Sequence, residues 1–281
     1  MIQITSGDGI RLALHHMGGE GDPLLIVHAT GFSAPVYQPL ADLLVQRHSV
    51  YGIDLRGQGD SDRPSSGTYD WAQFGLDVLA AQQYISSVSP PDTPIFGFGH
   101  SCGAQSLLRS ELILPGGFTQ LYLYEPIVAP PNIAGSKEVS SPLVDLTLRR
   151  RSEFESKEEA LANFRSKPPI ATFTDASIVA YVESCMRDSG NGKVVLKCLR
   201  EDEANIYSSM ADVDTYDRLP EISTMSLIAS GEVSQTFSPD YMKELASRMG
   251  ECEYQMIEGA DHFGPMVTPE LFAELILSEF S

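Results

Sequence analysis

The stretch Gly97-Phe98-Gly99-His100-Ser101-Cys102-Gly103-Ala104 constrains this chain more than any other. It contains Gly99-x-Ser101-x-Gly103, follows the apolar run Pro94-Ile95-Phe96, and leads into residues 104–112, whose pattern reads as a helix. A strand, a tight turn and a helix with a serine at the apex present that hydroxyl as a nucleophile. The apex backbone is strained, and a side chain at Gly99 or Gly103 would collide with the strand or the helix. The strain leaves a hydroxyl exposed beside a helix N-terminus, whose free N–H groups can hold an oxyanion. Taken alone the motif could be a Gly-rich turn, so its context has to come from the rest of the chain.

At 281 residues the chain fits one large domain, or a domain with an insertion. Its 42% hydrophobic and 20% charged residues describe a globule able to bury a sizeable core. The formal net charge of −19 argues against nucleic acid and anionic membrane surfaces as partners, because both reward basic patches. It also disfavours anionic substrates through long-range steering. Cys102, Cys185, Cys198 and Cys252 are widely spaced with no CxxC, which is no metal signature. A reducing compartment is the simpler reading, although Cys185 and Cys198 could pair in an oxidising one. The opening residues Met1-Ile2-Gln3-Ile4-Thr5 read as a strand and not as a signal peptide. No apolar run approaches the roughly 18 residues of a membrane span. The cytoplasm is the expected location, a small molecule the expected partner, and a homodimer is possible.

Residues 1–5 and 10–16 read as strands joined by Ser6-Gly7-Asp8-Gly9, a hairpin signal. Leu24-Leu25-Ile26-Val27 is a continuous apolar run, as expected of a strand buried on both faces of a parallel sheet. Residues 39–46 read as a helix, 49–53 as a strand, and 71–87 as a helix that Asp70 can cap. Residues 121–124, 225–229 and 252–257 read as further strands, with helices over 240–249 and 269–280. This alternation indicates a doubly wound, mostly parallel sheet of eight strands. Such sheets bind ligands at the C-terminal ends of their strands, where His28, Asp54, Ser101 and Glu125 all fall. Between 127 and 219 the pattern changes. Pro130-Pro131-Asn132 opens a loop, and 141–154, 157–164, 175–187 and 203–210 look helical. A crossover needs only about a dozen residues. This stretch therefore reads as a helical cap, 127–219, inserted into a core of 1–126 and 220–281.

In this order the chain resembles the α/β-hydrolase fold family along nearly its whole length. Four stretches carry the likeness: His28-Ala29-Thr30-Gly31-Phe32, residues 54–61 (Asp54-Leu55-Arg56-Gly57-Gln58-Gly59-Asp60-Ser61), Gly99-His100-Ser101-Cys102-Gly103, and Gly259-Ala260-Asp261-His262-Phe263. The resemblance implies a catalytic Ser, then an acid, then a His near the C-terminus. Ser101 corresponds to the nucleophile and His262 to the general base. His28 ends a strand in a tight turn and reads as a structural tie between loops. Asp54 reads as a turn former.

The acid requires a choice. The family most often places it after the strand before the last, and that slot here holds Ser234, which cannot stabilise an imidazolium by charge. Glu232 is nearby but wrongly offset. The family's other solution sets the acid after the strand that follows the elbow helix, which here is Glu125, and Glu125 is the preferred member. Asp261 adjoins His262 but should point elsewhere. The resemblance implies an oxyanion hole built from the backbone N–H of Cys102 and a second N–H from the loop after Val27, with Phe32 the first choice and Thr30 the second. The Cys102 thiol lies one residue past the apex and has no base of its own. No cofactor and no metal is implied. The expected activity is hydrolysis of a carboxylic ester or lactone through an acyl-enzyme on Ser101. Tyr181, Phe164, Phe173 and Met186 suggest a modest apolar substrate, unless they form the cap's own core. The alternatives are an acyltransferase or C–C bond hydrolase on the same triad, and a slow or non-catalytic ligand receptor on the same fold.

Overall fold

The computed structural model of the protein describes residues 1–130, 137–209, 214–236 and 238–281. Pro131, Asn132 and Met210, on which parts of the loop and helix expectations fell, lie outside them. The strands are β1 (Ile2–Thr5), β2 (Arg11–Gly18), β3 (Asp22–Val27), β4 (His48–Ile53), β5 (Phe96–His100), β6 (Gln120–Tyr124), β7 (Glu153–Phe154), β8 (Met186–Asp188), β9 (Val194–Leu196), β10 (Met225–Gly231) and β11 (Cys252–Ile257). Eight of them form one sheet in the order β1-β2-β4-β3-β5-β6-β10-β11. Only β2 runs against its neighbours, and the other pairings from β4 to β11 are parallel.

Alternation within the strands explains why both sheet faces are covered. In β3, Leu24 and Ile26 join one apolar cluster while Leu25 and Val27 join the other; in β6, Tyr122 and Tyr124 face Leu121 and Leu123 across the sheet in the same way. Helices Trp71–Val88 and Cys102–Ile113 cover one face, and Pro269–Glu279 covers the other. The expected cap of the first is present, since Asp70 Oδ1 accepts the Ala72 N–H at 2.8 Å.

The segment between β6 and β10 differs from the all-helical expectation. Helices Lys137–Arg149, Lys157–Arg165, Asp175–Cys185 and Arg200–Ser208 are accompanied by a three-stranded antiparallel sheet, β7-β9-β8. The helix expected over 141–154 ends at Arg149, and the one expected over 175–187 ends at Cys185. For the second, the cause is turn chemistry. Ser189-Gly190-Asn191-Gly192 closes a hairpin in which Gly190 and Gly192 take φ of 86° and 85°, and the Ser189 N–H meets the Lys193 carbonyl at 2.9 Å. This segment is fastened to the loop and helix that follow β4 by Trp71 Nε1 to the Ile206 carbonyl at 2.7 Å, Asn205 Nδ2 to the Gly67 carbonyl at 2.9 Å, and Arg63 to Asp202 at 2.7 Å. No helix of the described residues is long and apolar enough to cross a membrane.

The elbow glycines are required by close approach. A Cβ on Gly99 would lie 2.5 Å from Ala104 Cα in the following helix, and one on Gly103 would overlap the carbonyl of Val27 in β3. Backbone cannot retreat as a flexible side chain can. Gly103→Ala is therefore expected to lower the unfolding free energy by about 3 kcal/mol, the upper end of overpacking costs. Gly250→Ala, whose nearest contact is 3.5 Å away, should change it little. Equal denaturation midpoints for the two variants would contradict this account.

Candidate active site

Ser101 leaves β5 at φ 58°, and Glu125 leaves β6 at φ 46°. Both are non-glycine residues in the left-handed region, where strain persists only if the surroundings enforce it. Here the neighbouring strands do so. The Ser101 N–H donates to the Tyr124 carbonyl at 2.9 Å, and the Glu125 N–H donates to the Ala229 carbonyl at 2.9 Å. The parallel ladder thus runs one residue past each strand and pins both turns.

Glu125 is fully buried, so its carboxylate needs partners. Oε1 accepts the Gly231 N–H at 2.9 Å, and Oε2 accepts Ser234 Oγ–H at 2.7 Å and His262 Nδ1–H at 2.6 Å. His262 therefore carries its proton on Nδ1 when neutral, leaving Nε2 as the basic nitrogen. The loop that carries it is held at the backbone: Tyr124 OH donates to the Asp261 carbonyl, and His100 Nε2–H donates to the His262 carbonyl at 2.7 Å. Glu232 is exposed and accepts the Gly259 N–H at 2.9 Å, and Asp261 Oδ1 turns back to the Phe263 N–H at 2.9 Å. Of the carboxylates weighed from sequence, the structure brings Glu125 to His262. Ser234 occupies the slot where the resemblance would most often place the acid. It is in fact a donor to the acid, a role with no signal in the local sequence.

The loop after β3 is tied as the sequence suggested. His28 is buried, its Nδ1–H donates to the Ala29 carbonyl at 2.7 Å, and its Nε2 accepts the Leu55 N–H at 3.0 Å. Burial holds its pKa below the ordinary histidine value, consistent with a neutral ring. Asp54 accepts from the Ala34 N–H at 2.7 Å and the Asp60 N–H at 2.9 Å, fixing its turn. His15, Asp54 and Asp60 bring ligand atoms within 4.8 Å of one another, but each already has a partner: His15 bonds Asp54 at 2.9 Å, and Asp60 pairs with Lys197 at 2.7 Å.

The expectation for Phe32 meets an obstacle. Its N–H closes a turn onto the Ala29 carbonyl at 3.2 Å, with Gly31 at φ 80° in the position such a turn reserves for glycine. Ala29 N–H is engaged by Tyr37 OH at 3.1 Å and Gly31 N–H by Gln58 Oε1 at 2.6 Å. The Phe32 ring instead forms an aromatic wall, with centroids 6.1 Å from Phe173, 5.6 Å from Tyr181 and 6.3 Å from Phe263. Tyr181 and Phe164 also pack within the inserted segment, their rings 5.0 Å apart. Above the turn, Arg150 binds Glu203 Oε2 and Tyr181 OH, each at 2.6 Å. Glu203 leaves no room for a side chain on Gly31, whose Cβ would lie 2.7 Å from Oε1.

Cys102 begins the elbow helix fully buried, and burial pushes its thiol up to about 12. A thiol so far above neutral pH holds almost no thiolate. Cys185 and Cys198 are likewise buried and unpaired. Cys102 should resist iodoacetamide in the native protein at pH 8 and react after denaturation, read residue by residue by mass spectrometry. Native alkylation at Cys102 would refute this placement.

Comparison with known proteins agrees with the architecture. An acyl-CoA thioesterase of Penicillium brevicompactum is 26% identical over 149 residues, covering 49% of this chain and 34% of the thioesterase. Monoglyceride lipase of Homo sapiens is 26% identical over 153 residues, covering 52% of this chain and 50% of the lipase. The matches thus span half or less of these curated relatives. Among solved structures, E-2-(acetamidomethylene)succinate hydrolase superposes with a TM-score of 0.82 at 20% identity, over 99% of this chain and 98% of that one. The enol-lactonase of Burkholderia xenovorans LB400 superposes with a TM-score of 0.70 at 17% identity, over 99% of both chains. These two likenesses show the shared fold. Residues 24–275 match the model of the alpha/beta hydrolase family, with the strands and turns just described, and the chain belongs to that family.

Proposed function

We propose that the protein hydrolyses an acyl bond, a carboxylic ester or lactone of a small apolar substrate, through an acyl-enzyme on Ser101. The observation that carries this reading is the 2.6 Å hydrogen bond from His262 Nδ1 to Glu125. With Nδ1 so engaged, Nε2 is the nitrogen left to serve a hydroxyl at the elbow apex. Ser101 Oγ bonds to the substrate carbonyl carbon as its proton passes to His262 Nε2, and Glu125 stabilises the imidazolium. The tetrahedral intermediate collapses, the carbon–oxygen bond to the leaving group breaks, and His262 returns the proton to the departing oxygen. Water then attacks the acyl carbon as it gives a proton to His262, and the second tetrahedral intermediate collapses: the Ser101 Oγ–carbon bond breaks, His262 returns the proton to Oγ, and the acid leaves.

The oxyanion hole uses the Cys102 N–H at the start of the elbow helix. Because the Phe32 N–H is already bonded, the second donor in this reading is the N–H of Thr30. The Phe32, Phe173, Tyr181 and Phe263 rings supply an apolar wall. The names of two of the relatives and one structural neighbour, thioesterase, lipase and lactonase, denote cleavage of an acyl bond, which supports the reaction class and leaves the leaving group open.

A fluorophosphonate probe tests the nucleophile. One equivalent should attach to Ser101 in the native protein, and Ser101→Ala should lose both the label and at least about 10³-fold of its p-nitrophenyl acetate turnover. Folded protein that takes up no label would overturn the hydrolase reading and leave the receptor.

A further inference from the structure

His100 and Tyr37 are buried polar residues that the proposed chemistry does not use. Their hydrogen bonds form one directed chain across the site. The Ala29 N–H, in the turn after β3, donates to Tyr37 OH at 3.1 Å. Tyr37 OH lies 2.6 Å from His100 Nδ1, and His100 Nε2 lies 2.7 Å from the His262 carbonyl. A carbonyl only accepts, so Nε2 carries the hydrogen; in a neutral ring Nδ1 is then the acceptor and Tyr37 the donor. His100 is fully buried beside His262, and burial, then the neighbouring His262, holds its pKa well below the ordinary value. The ring is also packed, with centroids 4.9 Å from His262 and 5.6 Å from Tyr124.

We infer that Tyr37 and His100 are positioning residues that set the oxyanion turn, the nucleophile elbow and the base-bearing loop in one mutual register. Three loops from three different strands meet at the reacting atoms, and each could drift alone. His100 immediately precedes Ser101, so its ring is anchored to the elbow backbone. Its two nitrogens reach in opposite directions, one through Tyr37 to the residue that opens the oxyanion turn and the other to the main chain of His262. A histidine serves this purpose because its neutral ring is a donor at one end and an acceptor at the other. The inference rests on the reading of Ser101 and His262 as nucleophile and base.

Three measurements test it. In wild type, the ¹⁵N shifts of His100 should show the Nε2-protonated neutral tautomer, whether or not a substrate is turned over; an Nδ1-protonated ring would overturn the chain of donors. Tyr37→Phe keeps the ring and removes only the hydroxyl. It should lower kcat for p-nitrophenyl acetate roughly tenfold to a hundredfold, with KM held within about twofold, at a temperature where the variant is fully folded. His100→Gln keeps a donor near the Nε2 position and should retain more activity than His100→Phe. A Tyr37→Phe protein with wild-type kcat, whatever its Tm, would show a purely structural role and overturn the inference. Absence of turnover in wild type would instead count against the hydrolase reading, and the tautomer would still decide the network.

Discussion

The site depends on one buried carboxylate. Glu125 is wholly removed from water, and it is tolerated because two separate stretches of chain give it three hydrogens: the Gly231 N–H and the Ser234 hydroxyl from one, and the His262 imidazole from the other. An isolated carboxylate buried in this way would cost several kcal/mol. The same need for partners draws the loops after β10 and β11 onto the end of β6, and it fixes which nitrogen of His262 is basic. The elbow that carries Ser101 closes the adjoining strand β5, because parallel strands release their turns on one edge of the sheet.

Much of this was legible in the sequence because it rests on short-range chemistry. The apolar run Leu24-Leu25-Ile26-Val27 has the pattern expected of a strand buried on both faces, and the glycines flanking Ser101 mark close approach of a helix and a strand. Asp70 as a helix cap, His28 as a tie between loops and Asp54 as a turn former follow from what those side chains can bond locally. Glu125 could be preferred over Glu232 because the resemblance implies an acid at the end of the strand after the elbow helix, whereas Glu232 is offset from its own strand end.

What escaped the sequence involves long-range geometry or competing turn chemistry. No local pattern says that the Phe32 N–H is consumed by the Ala29 carbonyl, or that Tyr37 reaches His100 across 63 positions. Ser234 looked like a loss when set against the usual position of the acid, yet its hydroxyl supports the acid from that very slot. The β8–β9 hairpin turns on Ser189-Gly190-Asn191-Gly192, a glycine-rich turn lying just beyond the helical pattern of residues 175–187.

The proposed chemistry requires Glu125 as the partner of His262. The most direct measurement is kcat for p-nitrophenyl acetate in Glu125→Gln beside Glu232→Gln. An amide at position 125 can still bond Nδ1 but cannot stabilise an imidazolium by charge, and it can impose the wrong tautomer. The predicted result is a fall of about 10²- to 10⁴-fold for Glu125→Gln, with Glu232→Gln close to wild type. Wild-type kcat in Glu125→Gln, together with a collapse in Glu232→Gln, would contradict the account.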